Sequence, residues 1–495
     1  MNYTEEQKEI IHYDGDILVE ALSGTGKTTT IKEFIKTRNP ESRILYLAFN
    51  KSVQKEAELK FEDIDNVYIH VKTVHALAYK EIIIKKGYEL GELNIEDVMM
   101  KYNISYELAV HIVNYVTLYS RVSEIKVNNV NYKSTIGNSI ALQLYEENED
   151  KIVLITRMII KDMYNKAIPV NHDYYLKLYY MSKPRLDKIY DYICLDEAQD
   201  SSDITIEIFK DQKCKKVMVG DKHQQIYSWR NAINAMDKVN FKKFKLTESF
   251  RFNKNIAEKA NQVISWKEKI LFDKTVKDFN IIGSGNTKEI KTYGVIGRTN
   301  LSIIKYAIEN VIINKNYKKI YFEGGFTGYS VTSMYTPIKD IENIHKGRYN
   351  KIKTSYLKDI KSIGELENFI SKTEDIYMKQ VLELYITYGA YEFINYVNDL
   401  KKICIDDKYK SDLILTTVHK SKGMEYDKVL LLDDFKDVLD FYDILKKSDN
   451  KYKTRMLINE EINLLYVALT RAKVELILPE NIEKAIEYNN DKNKK

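Results

Sequence analysis

The sequence predicts an α/β fold in which two layers with parallel sheets each carry a mainly helical insertion. Three observations support this prediction. Short apolar runs that lead into helical patterns occur near the start of the chain, near residue 190 and again after residue 410. Between them lie two blocks of roughly 100 residues with helical spacing. The 495 residues include only 5 prolines and 18 glycines, which favours long uninterrupted elements.

The first predicted layer begins with an apolar run over 16–22, which leads into a glycine-rich turn and a helical pattern. A second buried strand is predicted over 43–49. Residues 79–180 are rich in Tyr, Lys and Met and show helical spacing, as in ELAVHIVNYVTLY. Short strand-like runs then occur again at 191–195, 217–219 and 243–246. The helical block is therefore interpreted as an insertion in the first layer.

The second predicted layer is interrupted in the same way. Residues 301–404 have a helical texture and include a basic stretch in the 340s to 360s. Strands are predicted over 413–418 and 428–433, followed by a helix with the sequence NLLYVALTRAK. The predicted domains and insertions are 1–78 with 181–250 for the first domain, 79–180 for its insertion, 251–300 with 405–495 for the second domain, and 301–404 for its insertion.

The composition excludes several classes of protein. A hydrophobic fraction of 44% and an aromatic fraction of 12% are those of a folded chain rather than a disordered one. Three cysteines, Cys194, Cys214 and Cys404, are too few for a disulfide scaffold and lack metal-binding spacing. No apolar run approaches the roughly 20 residues of a membrane span, and no signal peptide opens the chain. We therefore expect a soluble intracellular protein that does not associate with membranes.

The charge balance does not by itself identify a partner. The chain has 77 Lys and Arg against 72 Asp and Glu, a net charge of +5. Such a near-neutral total would not steer a polyanion towards the protein. Any nucleic acid that binds must therefore meet basic groups that are gathered locally.

Residues 21–29 (ALSGTGKTT) follow a predicted strand and open a predicted helix, which is the context of a phosphate-binding P-loop. Its glycines would let backbone N–H groups close around a β-phosphate. Lys27 would reach the β- and γ-phosphates, and the Thr28 hydroxyl would ligate Mg²⁺. The motif departs from the strict pattern at Ala21, where a glycine is usual. The residues predicted to surround the phosphates are Ser23, Gly24, Thr25, Gly26, Lys27, Thr28 and Thr29.

A second acidic motif follows the predicted strand at 191–195. In the sequence ICLDEAQD, apolar residues lead directly to Asp196 and Glu197. Open α/β sheets place their chemistry at such strand ends. Asp196 would hold Mg²⁺, and Glu197 would orient or deprotonate an attacking water. An acidic turn without function has the same appearance, but its pairing with a P-loop favours a nucleoside triphosphatase.

Together these two motifs resemble those of superfamily 1 helicases of the UvrD/Rep type. Further segments occur in the order of that family, and the whole set runs from residue 6 to residue 473. These segments are 6–7, 48–51, 73–76, 219–230, 246–252, 298–300, 417–426 and 465–473. The segments TESFRF and VHKSKGMEYDKVLLLDDF look closest to the helicase core of the F-box DNA helicase family. No F-box is expected, because the P-loop begins only about 20 residues into the chain.

The resemblance implies two RecA-like P-loop NTPase domains that bind ATP and Mg²⁺ between them. Gln7 would read adenine, and Phe250 would stack on it where the wider family often has Tyr. Gln224 and Arg251 would sense the γ-phosphate, and Arg471 would act as an arginine finger supplied in cis. Without the ordered motifs, a turn glutamine and a solvated helix arginine are the alternatives for Gln224 and Arg471. The residues added to the nucleotide site in this way are Gln7, Gln224, Phe250, Arg251, Gly423, Glu425 and Arg471.

Single-stranded nucleic acid is held by aromatic stacking together with backbone charge. The motifs place aromatic, cationic and polar residues close together in the order expected for such a track. Trp229, one of only two tryptophans, is interpreted as a stacking platform, with a core aromatic as the alternative. The predicted contacts are Phe49, Asn50, Thr73, His75, Tyr227, Trp229, Arg230, Arg298, Asn300 and His419.

The resemblance therefore implies an ATP-dependent DNA helicase or translocase that moves 3′ to 5′ on single-stranded DNA or at single-strand/duplex junctions. We expect a role in DNA repair, recombination or phage defence, in the cytoplasm and, in a bacterium, at the nucleoid. The alternative is a DNA-activated ATPase that senses DNA and regulates a separate nuclease subunit. Only 22 residues follow the last motif, too few for a nuclease domain of its own. A degenerate binding module is disfavoured by the intact ATP motifs.

Overall fold

A computed structural model of the chain describes residues 3–227, 235–277, 279–448 and 451–492. It contains two parallel sheets, of six and five strands, with helices packed around both. The predicted α/β fold with two parallel-sheet layers is therefore confirmed. We name the parts built on these sheets the first lobe (residues 3–250) and the second lobe (residues 251–492). Within the described ranges, no helix is long and apolar enough to cross a membrane.

Six strands form the sheet of the first lobe, and every neighbouring pair is parallel. They are β1 (Ile17–Ala21), β2 (Arg43–Leu47), β3 (Tyr68–Lys72), β4 (Tyr192–Leu195), β5 (Lys215–Gly220) and β6 (Lys242–Leu246). Their order in the sheet is β3-β2-β4-β5-β1-β6. The inner strands are almost wholly buried, as expected for a parallel sheet covered on both faces. The edge strand β3 is mostly exposed and polar, and for that reason it carried no apolar signal in the sequence.

The helices of the first lobe cover this sheet and build its insertion. They are α1 (Glu5–His12), α2 (Lys27–Lys36), α3 (Lys51–Phe61), α4 (Val74–Ala78), α5 (Ile95–Tyr102), α6 (Tyr106–Arg121), α7 (Ser139–Glu147), α8 (Glu149–Tyr164), α9 (His172–Met181) and α10 (Asp203–Lys210). The inserted helices α5 to α9 lie between β3 and β4. Their core is continuous with one face of the sheet, because Val116 and Ile155 share a hydrophobic cluster with Leu18 and Leu45.

The second lobe has a five-stranded parallel sheet, and a short parallel pair links it to the end of the first lobe. The pair is β7 (Glu248–Ser249) with β8 (Ile282–Gly283). The sheet contains β9 (Tyr293–Gly297), β10 (Ile320–Phe322), β11 (Leu413–Thr417), β12 (Tyr426–Leu431) and β13 (Ala472–Ile477). Their order in the sheet is β10-β11-β9-β12-β13.

The helices of the second lobe include a second inserted group, α13 to α16, between β10 and β11. They are α11 (Lys254–Leu271), α12 (Asn300–Ala307), α13 (Tyr335–His345), α14 (Ile363–Thr373), α15 (Ile376–Tyr388), α16 (Ala390–Ile403), α17 (Val418–Ser421), α18 (Asp440–Lys447), α19 (Lys451–Leu469) and α20 (Glu480–Lys492).

Two details of the second lobe differ from the sequence-based prediction. Strand β10 falls within 301–404, which was predicted to be insertion, yet it pairs with β11 in the sheet. A three-residue edge strand is too short to show a period in the sequence. The helix predicted over NLLYVALTRAK ends at Leu469, and Ala472 already begins β13. Tertiary pairing with β12 overrides the helical pattern there.

The two insertions contact each other. Tyr106 of α6 stacks on Tyr356, with ring centroids 4.4 Å apart, and Phe369 of α14 packs beside both rings. The Gly137 backbone N–H donates to Glu374 Oε1 at 2.7 Å. These contacts join the insertion of the first lobe to that of the second.

The lobes also share a hydrophobic interface. Leu22 and Ile226 of the first lobe belong to one buried cluster with Ile462 and Tyr466 of α19. Leu22 lies directly after β1, and Ile226 lies in the segment after β5. The strand ends of the first sheet therefore face the second lobe.

Candidate nucleotide and nucleic-acid site

The predicted site residues of the first lobe lie at one edge of its sheet. Ser23 follows β1, Phe49 follows β2, Thr73 follows β3, Asp196 follows β4 and Gln224 follows β5. Because all these strands are parallel, their carboxyl ends meet at the same edge. Segments that are as much as 200 residues apart in the sequence are thereby brought together.

The turn between β1 and α2 has the backbone of a phosphate-binding loop. Gly24 and Gly26 have φ angles of +75° and +77°, in the left-handed region that favours glycine. A Cβ on Gly24 would also lie 2.5 Å from Ser249 Oγ and 2.7 Å from Arg251 Cβ. Helix α2 begins at Lys27, so its free N–H groups face the loop. This arrangement suits an anion such as a phosphate.

Lys27 and Glu197 form an ion pair at the centre of this edge. Glu197 has a φ of 50°, a left-handed conformation that is uncommon for a non-glycine residue and is often found at functional sites. Burial alone would raise the pKa of Glu197, but Lys27 and then Lys422 outweigh it and lower the pKa to about 2. Burial would likewise lower the pKa of Lys27, and the charges of Glu197 and Asp196 raise it instead. Both groups are therefore charged at neutral pH.

Asp196 is held beside this pair by two hydrogen bonds. The Tyr46 hydroxyl donates to Asp196 Oδ2 at 2.5 Å, and the Glu197 N–H donates to Asp196 Oδ1 at 2.9 Å. Burial raises the pKa of Asp196, and Lys27 opposes that rise. The described part of the chain contains no group of three His, Cys, Asp or Glu that could cage a metal ion. The Thr28 hydroxyl and the Asp196 carboxylate line the same cavity, and oxygen ligands of this kind suit Mg²⁺ that is shared with phosphates.

A cavity of about 740 Å³ opens between the lobes at this edge. Its volume is in the range of small-molecule sites. Most of the nucleotide-site residues predicted from the sequence line it. These are Gln7, Gly24, Thr25, Gly26, Lys27, Thr28, Thr29, Asp196, Glu197, Phe250, Arg251, Gly423 and Glu425.

Gln7 and Phe250 border the same end of this cavity. A Cβ built on Gly26 would lie 3.3 Å from Gln7 Nε2 and 3.9 Å from the Phe250 ring. The Phe250 side chain is half exposed, so its ring is open to a planar ligand. The Gln7 amide accepts from the Thr4 N–H at 3.0 Å and donates to Thr30 Oγ1 at 3.2 Å. Gln7 thus caps α1 and also borders the cavity.

Two arginines of the second lobe meet at one serine of the P-loop. Arg251 Nη1 and Arg471 Nη2 each donate to Ser23 Oγ at 3.1 Å. Arg251 also donates to Glu425 Oε2 at 3.0 Å, and Arg471 lies 3.5 Å from Gln224 Oε1. Arg471 is 1% exposed, which excludes a solvated helix arginine. Burial, followed by the charge of Arg251, lowers the pKa of Arg471 to about 9.

Other interlobe contacts involve residues that were not singled out from the sequence. Tyr466 donates to Asp221 Oδ2 at 3.2 Å and accepts from the Ser23 N–H at 3.2 Å. Lys422 pairs with Asp200 and donates to the Gln224 carbonyl at 2.7 Å. Tyr466 and Lys422 lie inside segments already matched to the family, so their position could have identified them. Asp221 also lies inside such a segment, 219–230, whereas Tyr46 had no comparable signal, because its role depends on the packing of β2.

Three of the predicted nucleic-acid contacts form a continuous run of rings across the two lobes. Phe49 stacks on Tyr227 with ring centroids 5.7 Å apart, and Tyr227 lies 5.6 Å from the His419 ring. The His419 Nε2 atom is 2.9 Å from the Ile226 carbonyl oxygen. Such a series of rings suits the stacking of successive bases.

The remaining predicted contacts of the first lobe also have local roles. Asn50 accepts from the Val53 N–H at 2.9 Å and Thr73 accepts from the Ala76 N–H at 3.1 Å, so each is a helix N-cap. The His75 Nδ1 atom is 3.2 Å from the Tyr175 hydroxyl oxygen.

Arg298 and Asn300 of the second lobe lie after β9, which pairs with β11. The Arg298 guanidinium forms a bidentate ion pair with Glu461 of α19. The structure therefore engages Arg298 within the protein, whereas the sequence predicted only a contact with nucleic acid. Asn300 is the first residue of α12. The predicted contacts Trp229 and Arg230 lie outside the described residues.

A P-loop on one parallel sheet, with arginines reaching it from a second sheet, defines a two-lobed P-loop NTPase. A family profile described as "UvrD/REP helicase N-terminal domain" matches residues 3–245. F-box DNA helicase protein 1 of Schizosaccharomyces pombe is 29% identical over 97% of this chain and 58% of its own length. F-box DNA helicase 1 of Gallus gallus is 26% identical over 97% of this chain and 49% of its own length. These matches confirm the resemblance to superfamily 1 helicases of the UvrD/Rep type.

The chain thus spans about half of the length of these two relatives. Among solved structures, that of S. tokodaii Xpd4 matches 99% of this chain and 96% of its own, with 12% identity and a TM-score of 0.28. The assignment of the fold rests on the strand order of the chain itself.

Proposed function

We propose that the protein is an ATP-dependent DNA helicase that moves 3′ to 5′ along single-stranded DNA and hydrolyses ATP between its two lobes. The observation that carries the proposal is the meeting of Arg251 and Arg471 at Ser23. These three side chains come from both lobes, and Arg251 lines the same cavity as the Lys27–Glu197 pair. The UvrD/REP profile over residues 3–245 supports the same class of enzyme.

In the proposed mechanism, the γ-phosphate of ATP competes with Glu197 for the ammonium of Lys27. That competition releases the Glu197 carboxylate, which is ionised at neutral pH and can accept a proton from water. Mg²⁺, held by Thr28, Asp196 and phosphate oxygens, would neutralise charge on the phosphates. Gln224 and Arg471 lie side by side and would both respond to the γ-phosphate.

Closure of the lobes would bring Arg251 and Arg471 against the phosphates, and hydrolysis would release them. The Phe49, Tyr227 and His419 rings come from both lobes. Relative movement of the lobes would therefore change the grip on a stacked strand. Alternating grip of this kind moves a protein along single-stranded DNA.

The first experiment measures ATP hydrolysis with and without single-stranded DNA for the wild-type chain and for Lys27→Ala. We expect DNA-stimulated hydrolysis by the wild type, loss of hydrolysis in the variant and retained DNA binding in both. Chelation of Mg²⁺ by EDTA should stop hydrolysis without preventing DNA binding. Equal DNA-stimulated hydrolysis by Lys27→Ala and wild type would contradict the assigned site.

Strand displacement distinguishes unwinding from translocation alone. We expect the protein to displace a strand from duplexes with a 3′ single-stranded tail and not from duplexes with a 5′ tail. DNA-stimulated ATPase without displacement from either tail, together with co-purification of a nuclease, would favour the DNA-sensing alternative. A role in repair, recombination or phage defence is compatible with either result.

A further inference from the structure

A lysine that forms no ion pair with any described residue is buried where the lobes meet. Lys267 lies on α11 and is 2% exposed. Its Nζ atom lies 3.1 Å from His223 Nδ1 and donates to Asn463 Oδ1 at 2.5 Å. Burial, followed by the charge of Lys222, lowers the pKa of Lys267 to about 7. The charges of Asp221 and Asp273 act to raise the pKa of Lys267, but among the described residues neither carboxylate forms an ion pair with it.

Burying such an amine costs stability, because neutral acceptors only partly replace water around a cation. Because Lys177 is buried in the same way, burial alone does not assign a function to Lys267, and its contacts must do so. Lys267 does not line the nucleotide cavity and does not belong to the ring series. Any function must therefore act through the residues that it contacts.

The first of these residues, His223, belongs to the segment after β5. Burial and then Lys267 lower the pKa of His223 well below 6.5, so its ring is neutral and can accept a hydrogen bond at Nδ1. The ring packs against Phe279 at 4.8 Å and Tyr466 at 6.1 Å. Its backbone N–H donates to Asp221 Oδ1 at 2.9 Å. His223 is thus fixed on both its ring and its backbone.

The second residue that Lys267 contacts, Asn463 of α19, forms a hydrogen bond with the same segment. Its Nδ2 atom donates to the Gln225 carbonyl at 2.8 Å while its Oδ1 atom accepts from Lys267. Residues 223 and 225 are therefore both tied to Lys267. Gln224 lies between these two residues and faces Arg471. Tyr227 lies two residues after Gln225 and stacks on Phe49.

We propose that Lys267 is a positioning residue that couples strand binding to ATP hydrolysis by holding residues 223–227 as one unit against the second lobe. This inference rests on the proposed function, because it requires a nucleotide at Gln224 and a strand at Tyr227. Movement at either end of the short segment is transmitted to the other end. The coupling runs through a contiguous set of hydrogen bonds that spans both lobes.

The test compares Lys267→Met with Lys177→Met. Lys177 is a matched control, because it is also fully buried, and it donates to the carbonyl oxygens of Val122 and Glu124. It lies in the first insertion, away from the nucleotide cavity. Each variant is assayed for melting temperature, KM for ATP, affinity for an oligo(dT) strand, and kcat with and without that strand.

We expect Lys267→Met to melt at or above the wild-type temperature and to keep KM and strand affinity within about threefold. Its stimulation of kcat by the strand should fall by about tenfold or more, whereas Lys177→Met keeps wild-type stimulation. Wild-type stimulation in Lys267→Met would overturn the inference. Equal loss of basal and stimulated kcat would also overturn it, since that pattern indicates a merely structural role.

A second variant tests the same inference from the other side of the Lys267–His223 contact. His223→Phe removes the acceptor and keeps a ring against Phe279 and Tyr466. It should lose the same stimulation, and the double variant with Lys267→Met should lose no more than either single variant. Additive losses would overturn the inference. A wild-type chain without DNA-stimulated hydrolysis would overturn the proposed function as well, so the two failures are distinguishable.

Discussion

The substitution Glu197→Gln tests the balance of charges around Lys27. The pKa of Glu197 is about 2, against an ordinary value of 4.5. A difference of about 2.5 units corresponds to roughly 3 kcal/mol in favour of the ionised, folded form. This figure is an upper limit, because Asp196 remains near Lys27 and both members of the pair keep some contact with solvent. We therefore expect Glu197→Gln to lower the free energy of unfolding at pH 7 by about 1–3 kcal/mol.

The sign of the pH dependence follows from the lowered pKa. The ionised Glu197 stabilises the fold above about pH 4.5, and this contribution is lost as the pH falls towards 2. The difference in stability between wild type and Glu197→Gln should therefore narrow below pH 4.5. Calorimetric or denaturant unfolding at pH 7 and pH 4 measures it.

Hydrolysis and nucleotide binding should change in opposite directions in this variant. We expect kcat for DNA-stimulated hydrolysis to fall by about 10²–10⁴, because the residue that accepts the proton is neutral. Mg-ATP should raise the melting temperature of the variant at least as much as that of the wild type, because the triphosphate now meets an unpaired Lys27.

Asp203→Asn provides the matched control, since Asp203 is an ion-paired carboxylate of the same lobe, bound to Lys238 at 2.6 Å outside the cavity. It should lose stability but keep kcat. Wild-type kcat in Glu197→Gln, or a smaller effect of Mg-ATP on its melting temperature, would refute the assigned role of the pair.

Two further predictions concern the ends of the site. Phe250→Ala removes the half-exposed ring beside Gln7 and should raise KM for ATP about tenfold, whereas Phe250→Tyr should behave as wild type in the same steady-state assay. Tyr227→Ala removes the central ring of the series and should weaken binding of oligo(dT) about 5–100-fold by fluorescence anisotropy, since stacking contributes about 1–3 kcal/mol per base. Unchanged affinity in Tyr227→Ala, or an equal loss in Tyr227→Phe, would exclude a stacking role.

The sequence predicted the two parallel-sheet layers because their inner strands are short apolar runs bounded by turn residues, as at 16–22 and 191–195. It missed the edge strands β3 and β10, which are short or largely polar. It also missed the inner strand β9, whose short apolar run is flanked by Gly294 and Gly297. It extended a helix into β13, where the strand forms only because β12 lies beside it. An edge strand forms because it pairs with a neighbouring strand, and such pairing leaves no hydrophobic period in the strand's own sequence.

The sequence alone predicted the P-loop and the acidic strand end of the candidate nucleotide site, because both motifs require particular residue types at fixed spacing. Only the tertiary structure decided that Arg471 is buried against Ser23, that Arg298 is paired with Glu461, and that Lys267 contacts His223 and Asn463. The physical reason is that the free energy of a buried charge depends on which groups surround it. Those groups come from distant segments and opposite lobes, and only the packed fold determines which of them meet.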